Sequence, residues 1–255
     1  MSVPERLMSY PHHKLILWLR HGLLAVPLLL GGCLTDRPPD LVMGAVHRPS
    51  NIHVSPHFQS QTLRRLAVLP VVTDVGGAPG QFGRDTLEPE IRAELSQMGR
   101  FELVYPTPEQ LRQWTGKMSW TAEETLPRNL FSILQRQTGC DGVLFCRLTA
   151  YRPYPPLTIG WNLKLVDSAK GEVVWAAEEV FDAGNPAVAN SARLYYQKHT
   201  KDPAPLNDSH SILNSPRHFG RYAFHALVQG IPSLPAQKGT QVFAKSADNN
   251  LGKKK

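Results

Sequence analysis

The stretch Leu157-Thr158-Ile159-Gly160-Trp161-Asn162-Leu163-Lys164-Leu165-Val166 decides the fold. Leu157, Ile159, Trp161, Leu163 and Leu165 are apolar, while Thr158, Asn162 and Lys164 are polar. Side chains on a strand alternate between two faces, so this pattern predicts a sheet with one buried face. The turn Asp167-Ser168-Ala169-Lys170-Gly171 follows. Glu172–Phe181 then repeats the alternation with Val173, Trp175, Ala177 and Phe181 inward, completing a hairpin. Upstream, Gly142–Tyr151 reads as a third consecutive strand.

Working outward, the segment from Arg65 to Val72 places apolar residues on both faces, as a central strand covered on both sides requires. A Gly/Pro loop is expected over Gly76–Gly83. Asp85 with Glu88 three residues later suggests a capping-box-like helix start. Leu87, Ile91, Leu95 and Met98 share one helical face, and Gly99 suits a left-handed stop. Phe101–Val104 is a short strand. Thr107-Pro108 starts a short helix with proline at the first helical position, where the lost N–H costs little. Pro127–Thr138 is expected as a helix with Leu130, Phe131 and Leu134 inward and Gly139 at its end. Two further helices are expected over Ala187–His199 and Ser215–Gln229, separated by a loop with Pro203 and Pro205. The order of elements gives an α/β fold, a single mixed-sheet layer packed with helices.

The N-terminus carries a separate message. Arg6, Lys14 and Arg20 precede an uncharged, leucine-rich run from Gly22 to Leu30, and Leu30-Gly31-Gly32-Cys33 follows. A positive start, a short apolar run and small residues before a cut describe an export signal. The cysteine after those small residues resembles the lipobox of bacterial lipoproteins, in which diacylglycerol is attached to the cysteine sulfur before cleavage. Arg20, His21 and Pro27 interrupt the apolar run, which argues against a membrane-spanning helix of about 20 apolar residues. Four segments are expected: 1–32 a lipoprotein signal peptide, 33–63 a lipid-anchored flexible tether, 64–231 the α/β domain, and 232–255 a disordered basic tail. Leu34 stands where an aspartate in Gram-negative lipoproteins means inner-membrane retention. By that resemblance the outer membrane is favoured.

Several pieces of the folded part resemble a known group. They are Leu66-Ala67-Val68-Leu69-Pro70-Val71, Gly99-Arg100-Phe101-Glu102-Leu103-Val104 and Thr138-Gly139-Cys140-Asp141-Gly142-Val143-Leu144. The hairpin Leu165–Trp175 and a closing helix with Ser215-Pro216, Phe219, Ala223 and Leu227 complete the set. Together they resemble the TolB-N-terminal-like lipoproteins, a group that includes the curli secretion channel (CsgG-like) family and the lipoprotein activators of penicillin-binding proteins. The resemblance covers Arg65 to Gly230 and implies a module that assembles or activates envelope machinery. Two departures stand out. The turn Arg152–Pro156 is too short for the membrane-crossing hairpins of the curli channel, which disfavours a pore. The stretch Asn185–Asn214 matches no member and reads as an insertion.

Composition narrows the chemistry. The net charge of +7 is concentrated at the ends, including Lys253, Lys254 and Lys255, and no folded segment carries a dense basic stripe. Nucleic acid is therefore not an expected partner. Cys140 and Cys146 are separated by an extended chain and read as small buried residues, not a disulfide. No Cys/His spacing suggests zinc. Asp85, Glu88 and Glu90 read as capping carboxylates. The glycines between Gly76 and Gly83 lack the Gly-Lys-Ser/Thr ending of a phosphate loop. Neither cofactor nor metal is expected, and no small-molecule ligand. The enzyme alternative, a hydrolase or metal protein, would centre on His210, His218 and His225. Trp114, Trp120, Tyr195 and Tyr196 are the candidates for partner binding. The expected partners are membrane lipid through Cys33 and another envelope protein.

Overall fold

The computed structural model describes residues 40–56, 58, 63–199 and 208–232. Residues 1–39, with the expected signal peptide and Cys33, lie outside the described residues, as do residues 200–207 and residues 233–255 of the expected basic tail.

One mixed sheet organises the domain. Its strands are β1 (Ile52–Val54), β2 (Arg65–Val68), β3 (Val72–Thr73), β4 (Glu102–Val104), β5 (Gly142–Arg152), β6 (Thr158–Asp167) and β7 (Glu172–Asp182). The order across the sheet is β1-β7-β6-β5-β2-β4, with β3 paired to β5. β5, β6 and β7 form an antiparallel meander, whereas β2 lies parallel to both β4 and β5.

Helices cover both faces. α1 (Gly77–Met98), α4 (Pro186–His199) and α5 (Pro216–Val228) pack on one side with a 3-10 turn at Ser209–Asn214. The core on that side takes Leu66 and Val68 from β2, Leu144 and Leu148 from β5, and Ile159, Trp161, Leu163 and Leu165 from β6. The other face takes Ala67, Leu69, Val143, Phe145 and Val166 against α2 (Pro108–Thr115) and α3 (Leu130–Thr138). Successive residues of β2 therefore feed opposite cores, as the two-sided apolar segment predicts.

Local signals set several boundaries. Thr107 and Gln110 exchange a capping box at the start of α2, and Gly116 closes it with φ 82°. Gly99 and Gly139 end α1 and α3 at φ 59° and 68°, a conformation that glycine adopts without steric cost. Cys140 and Cys146 are free and buried.

Four expectations change. The Gly/Pro segment is helical: α1 begins at Gly77, eight residues before Asp85. Pro79 sits in the first turn, where N–H groups lack helical partners. Gly83 lies against Tyr151, whose ring a Cβ there would meet at 2.8 Å, so glycine serves close packing at that point. Asp85 pairs with Arg84 and Glu88 with Arg92, and neither caps the helix. Second, part of the expected tether is a sheet edge. β1 pairs antiparallel with β7, the His47 N–H donates to the Ala187 carbonyl, and Leu63 is buried. Third, Val173 points outward. The register shifts between Leu165 and Val166, so Val174 is buried (3%) and Val173 exposed (40%). Fourth, α3 starts at Leu130, three residues later than expected, because Pro127 to Asn129 form the preceding turn.

Candidate functional site

Two features on the α1–α4–α5 side are built from residues distant in sequence. The first is a charged cluster inside the helical layer. Glu90 and Glu94 stand four apart on α1, and both are buried. Arg217, Arg221 and His225 stand at matching four-residue steps on α5, so the two stripes face each other. Arg217 Nε donates to Glu90 Oε1, and His225 Nδ1 donates to Glu94 Oε1. Arg221 Nε donates to Glu94 Oε2 at 3.1 Å, and the Tyr195 hydroxyl on α4 donates to the same oxygen at 3.0 Å. His199 stacks on Tyr195 at 4.3 Å and stands 5.0 Å from the His225 ring.

Burial works against ionisation of Glu94, but the donors His225, Arg221 and Tyr195 outweigh it and hold the carboxyl down at about 2. Burial, with the Glu94 charge beside it, pushes the Tyr195 hydroxyl up, so it stays protonated and donates. The cluster ties three helices together. Both Glu94 oxygens and Glu90 Oε1 accept from protein donors, and Arg221 stands 3.9 Å from Glu90 Oε2, which suits a structural clamp.

The second feature is an apolar groove of about 700 Å³. Its walls include Pro79 and Phe82 from the start of α1, Tyr151 from the end of β5, Pro153 and Tyr154 from the β5–β6 turn, and Pro216 at the start of α5. Phe82 is 58% exposed and Tyr154 74% exposed. The Phe82 and Tyr151 rings lie 6.3 Å apart.

The residues singled out from sequence are distributed differently. Trp120 is buried in the second core; its Nε1 donates to Thr115 Oγ1 at 2.9 Å, and Lys117 lies over its ring. Trp114 is half-buried against the same core. Tyr196 is buried beneath α4, and Tyr195 belongs to the charged cluster. These positions make packing contacts. Trp120 and Tyr196 spend their aromatic area inside the domain, while Trp114 and Tyr195 keep part of theirs exposed. The segment Asn185–Asn214, read as an insertion, sends Val188, Ala192, Tyr196 and Ile212 into the main core. His210 is exposed on the 3-10 turn, His218 lies near Tyr196, and His225 serves Glu94, so the three histidines are not gathered. Among the described residues no group of three or more His, Cys, Asp or Glu side chains is placed to hold a metal. No helix among them is long and apolar enough to cross a membrane. Leu30, Gly31, Gly32 and Cys33 lie outside the described residues.

Glu90 is buried in the cluster and does not cap the helix as expected, and Glu94 is a site residue outside the sequence-based candidates. The signal was present in the sequence: two acids beside the apolar stripe of α1 and three basic residues at helical spacing on α5. The groove has no such signal, since its walls come from segments as far apart as Ala78 and Pro216.

No family model matches the chain, and no curated protein does. Solved structures do. Lipoprotein GNA1162 from Neisseria meningitidis is 17% identical over 54% of this chain and 99% of its own, with a TM-score of 0.36. The LpoB C-terminal domain from Salmonella enterica is 19% identical over 48% of this chain and 84% of its own, with a TM-score of 0.31. The PelC L103M dodecamer from Paraburkholderia phytofirmans is 17% identical over 54% of this chain and 81% of its own, with a TM-score of 0.31. Bacterial lipoproteins are thus among the structures similar to this chain. At such low scores the likeness bears on neither partner nor process.

Proposed function

We propose that the protein is a lipid-anchored module of the bacterial envelope. It binds another envelope protein and supports assembly or activation without catalysing a reaction itself. The observation that carries this reading is Leu30-Gly31-Gly32-Cys33 behind an uncharged, leucine-rich run. In this reading signal peptidase cuts before Cys33 and diacylglycerol on its sulfur holds the chain to the membrane. Leu34 in place of aspartate favours the outer membrane, with the domain facing the periplasm.

The arrangement of the helical layer supports a binding role. Glu90 and Glu94 are consumed by protein partners, and the histidines of the enzyme alternative are dispersed. The groove offers apolar contact area and few polar groups, which suits burial against an apolar surface.

Cell fractionation of Cys33→Ser tests the anchor. The variant is expected in the soluble fraction while wild type stays with membranes; a variant that remains membrane-bound contradicts the reading. In-cell cross-linking from position 170, in the β6–β7 turn, tests the binding role. A discrete adduct with one envelope protein is expected, and a ladder of the chain's own multiples would favour a ring-forming channel subunit instead.

A further inference from the structure

Several of the exposed apolar side chains gather at one end of the domain, while Val173 is exposed at the other. Phe82 and Tyr154 project from the groove. The Arg152–Pro156 turn beside them touches the end of β7: Arg152 pairs with Asp182 at 3.5 Å, and Pro156 lies against Gly184. α4 begins two residues further on, at Pro186. The entering chain crosses that first part of α4, where Asn190 Nδ2 donates to the carbonyls of Met43 and Ala45, and the Ser191 hydroxyl receives the His47 N–H. Met43 is 81% exposed and Val46 48% exposed. The groove and the incoming chain therefore share one end of the sheet.

Helix direction agrees with this placement. Glu90 meets Arg217 and Glu94 meets His225, so α1 and α5 advance together and both begin at the groove end. Their N-termini turn positive dipole ends the same way, and Gly76 leaves α1 without a side-chain cap.

Chain length then limits what this end can face. Eight residues lie between Cys33 and Val42, so the reach is at most about 32 Å when fully extended. A bilayer holding Cys33 is the surface within that reach of the strap. Aromatic rings with a polar tip, apolar side chains and flanking arginine are the groups that settle at a membrane interface.

We infer that this end of the domain lies on the bilayer. Phe82 and Tyr154 enter the interfacial layer, and the groove between Pro79, Tyr151, Pro153 and Pro216 takes up lipid. The inference rests on the proposed lipid anchor at Cys33. It makes the anchor an orienting device: lipid at Cys33 fixes the distance, the aromatic end fixes the tilt, and the opposite end of the sheet is presented to the periplasm.

The test uses the full mature chain, purified with its lipid and placed in vesicles of phosphatidylethanolamine and phosphatidylglycerol. Single cysteines carry an environment-sensitive fluorophore at Gln81→Cys beside the groove, Ala45→Cys on the strap, and Lys170→Cys in the β6–β7 turn. Cys140 and Cys146 are buried and stay unlabelled in the folded protein. β6 separates the two ends by about 30 Å. Quencher-bearing lipids should dim and blue-shifted emission should mark positions 81 and 45, while position 170 keeps its aqueous spectrum. Adding Phe82→Ser and Tyr154→Ser should return position 81 towards the aqueous spectrum while the protein stays on the vesicles. Lipidated protein with aqueous probes at 81 and 45 overturns the inference alone, as does shielding at 81 that needs another envelope protein. Protein lacking diacylglycerol on Cys33 overturns the anchor and this inference together.

Discussion

On one face of the sheet, α1, α4 and α5 meet through Glu90 and Glu94, buried among Arg217, Arg221, His225 and Tyr195. On the other, α2 and α3 meet the sheet through Leu111, Leu130, Leu134 and Phe131 against Phe145. The two layers need different partners. The second is a small apolar patch with strong helix-end signals of its own. In the first, buried carboxylates are tolerable only while every donor is in place, so the three helices must dock in one register.

That contrast can be broken most severely at Glu94. Glu94→Ala removes one carboxylate and leaves Arg221 and His225 facing each other in a half-buried site. A loss of about 4 kcal/mol is expected in urea unfolding, as for other broken buried pairs. A loss under 1 kcal/mol would mean that the cluster relaxes or fills with water. The same carboxylate gives the face its acid sensitivity. Its folded value is held at about 2, below the ordinary value of 4.5. Its contribution is therefore complete above pH 4.5 and is lost as the pH falls from there through 2. Wild type and Glu94→Ala should converge in stability over that window; parallel curves would assign acid unfolding to other groups.

The second layer should answer only to size. Leu134→Ala is expected to cost about 3 kcal/mol through the cavity it leaves, with the cost independent of pH between 2 and 4.5. At the small end, Thr107→Ala removes half of the capping box and should cost about 1 kcal/mol by thermal unfolding. No change there would mean that burial of Leu111 alone holds α2.

The same contrast explains how far the fold could be read from the chain. α2 and the end of α3 are written in neighbouring residues: Thr107, Pro108 and Gln110 at a start, Gly116 and Gly139 at stops. The β6 alternation is equally local. α1 carries no comparable start signal, since its glycines and Pro79 imitate a loop until Gly83 is seen against Tyr151. β1 is three residues long, and its partner strand lies over 120 residues away, so nothing nearby announces it. The Val173/Val174 bulge changes which residue faces inward without changing composition. The charged cluster was visible in principle as matching stripes on α1 and α5, but pairing them required the parallel docking of two helices far apart in sequence. The aromatic groove exists only after the β5–β6 turn has met the starts of α1 and α5.

The anchor bears on everything proposed for this protein, and intact mass measurement of the chain purified from membranes tests it directly. A mature chain beginning at Cys33, with diacylglycerol on its sulfur and residues 1–32 removed, is the expected result. A chain that retains those residues, or one that starts at Cys33 without lipid, would contradict it.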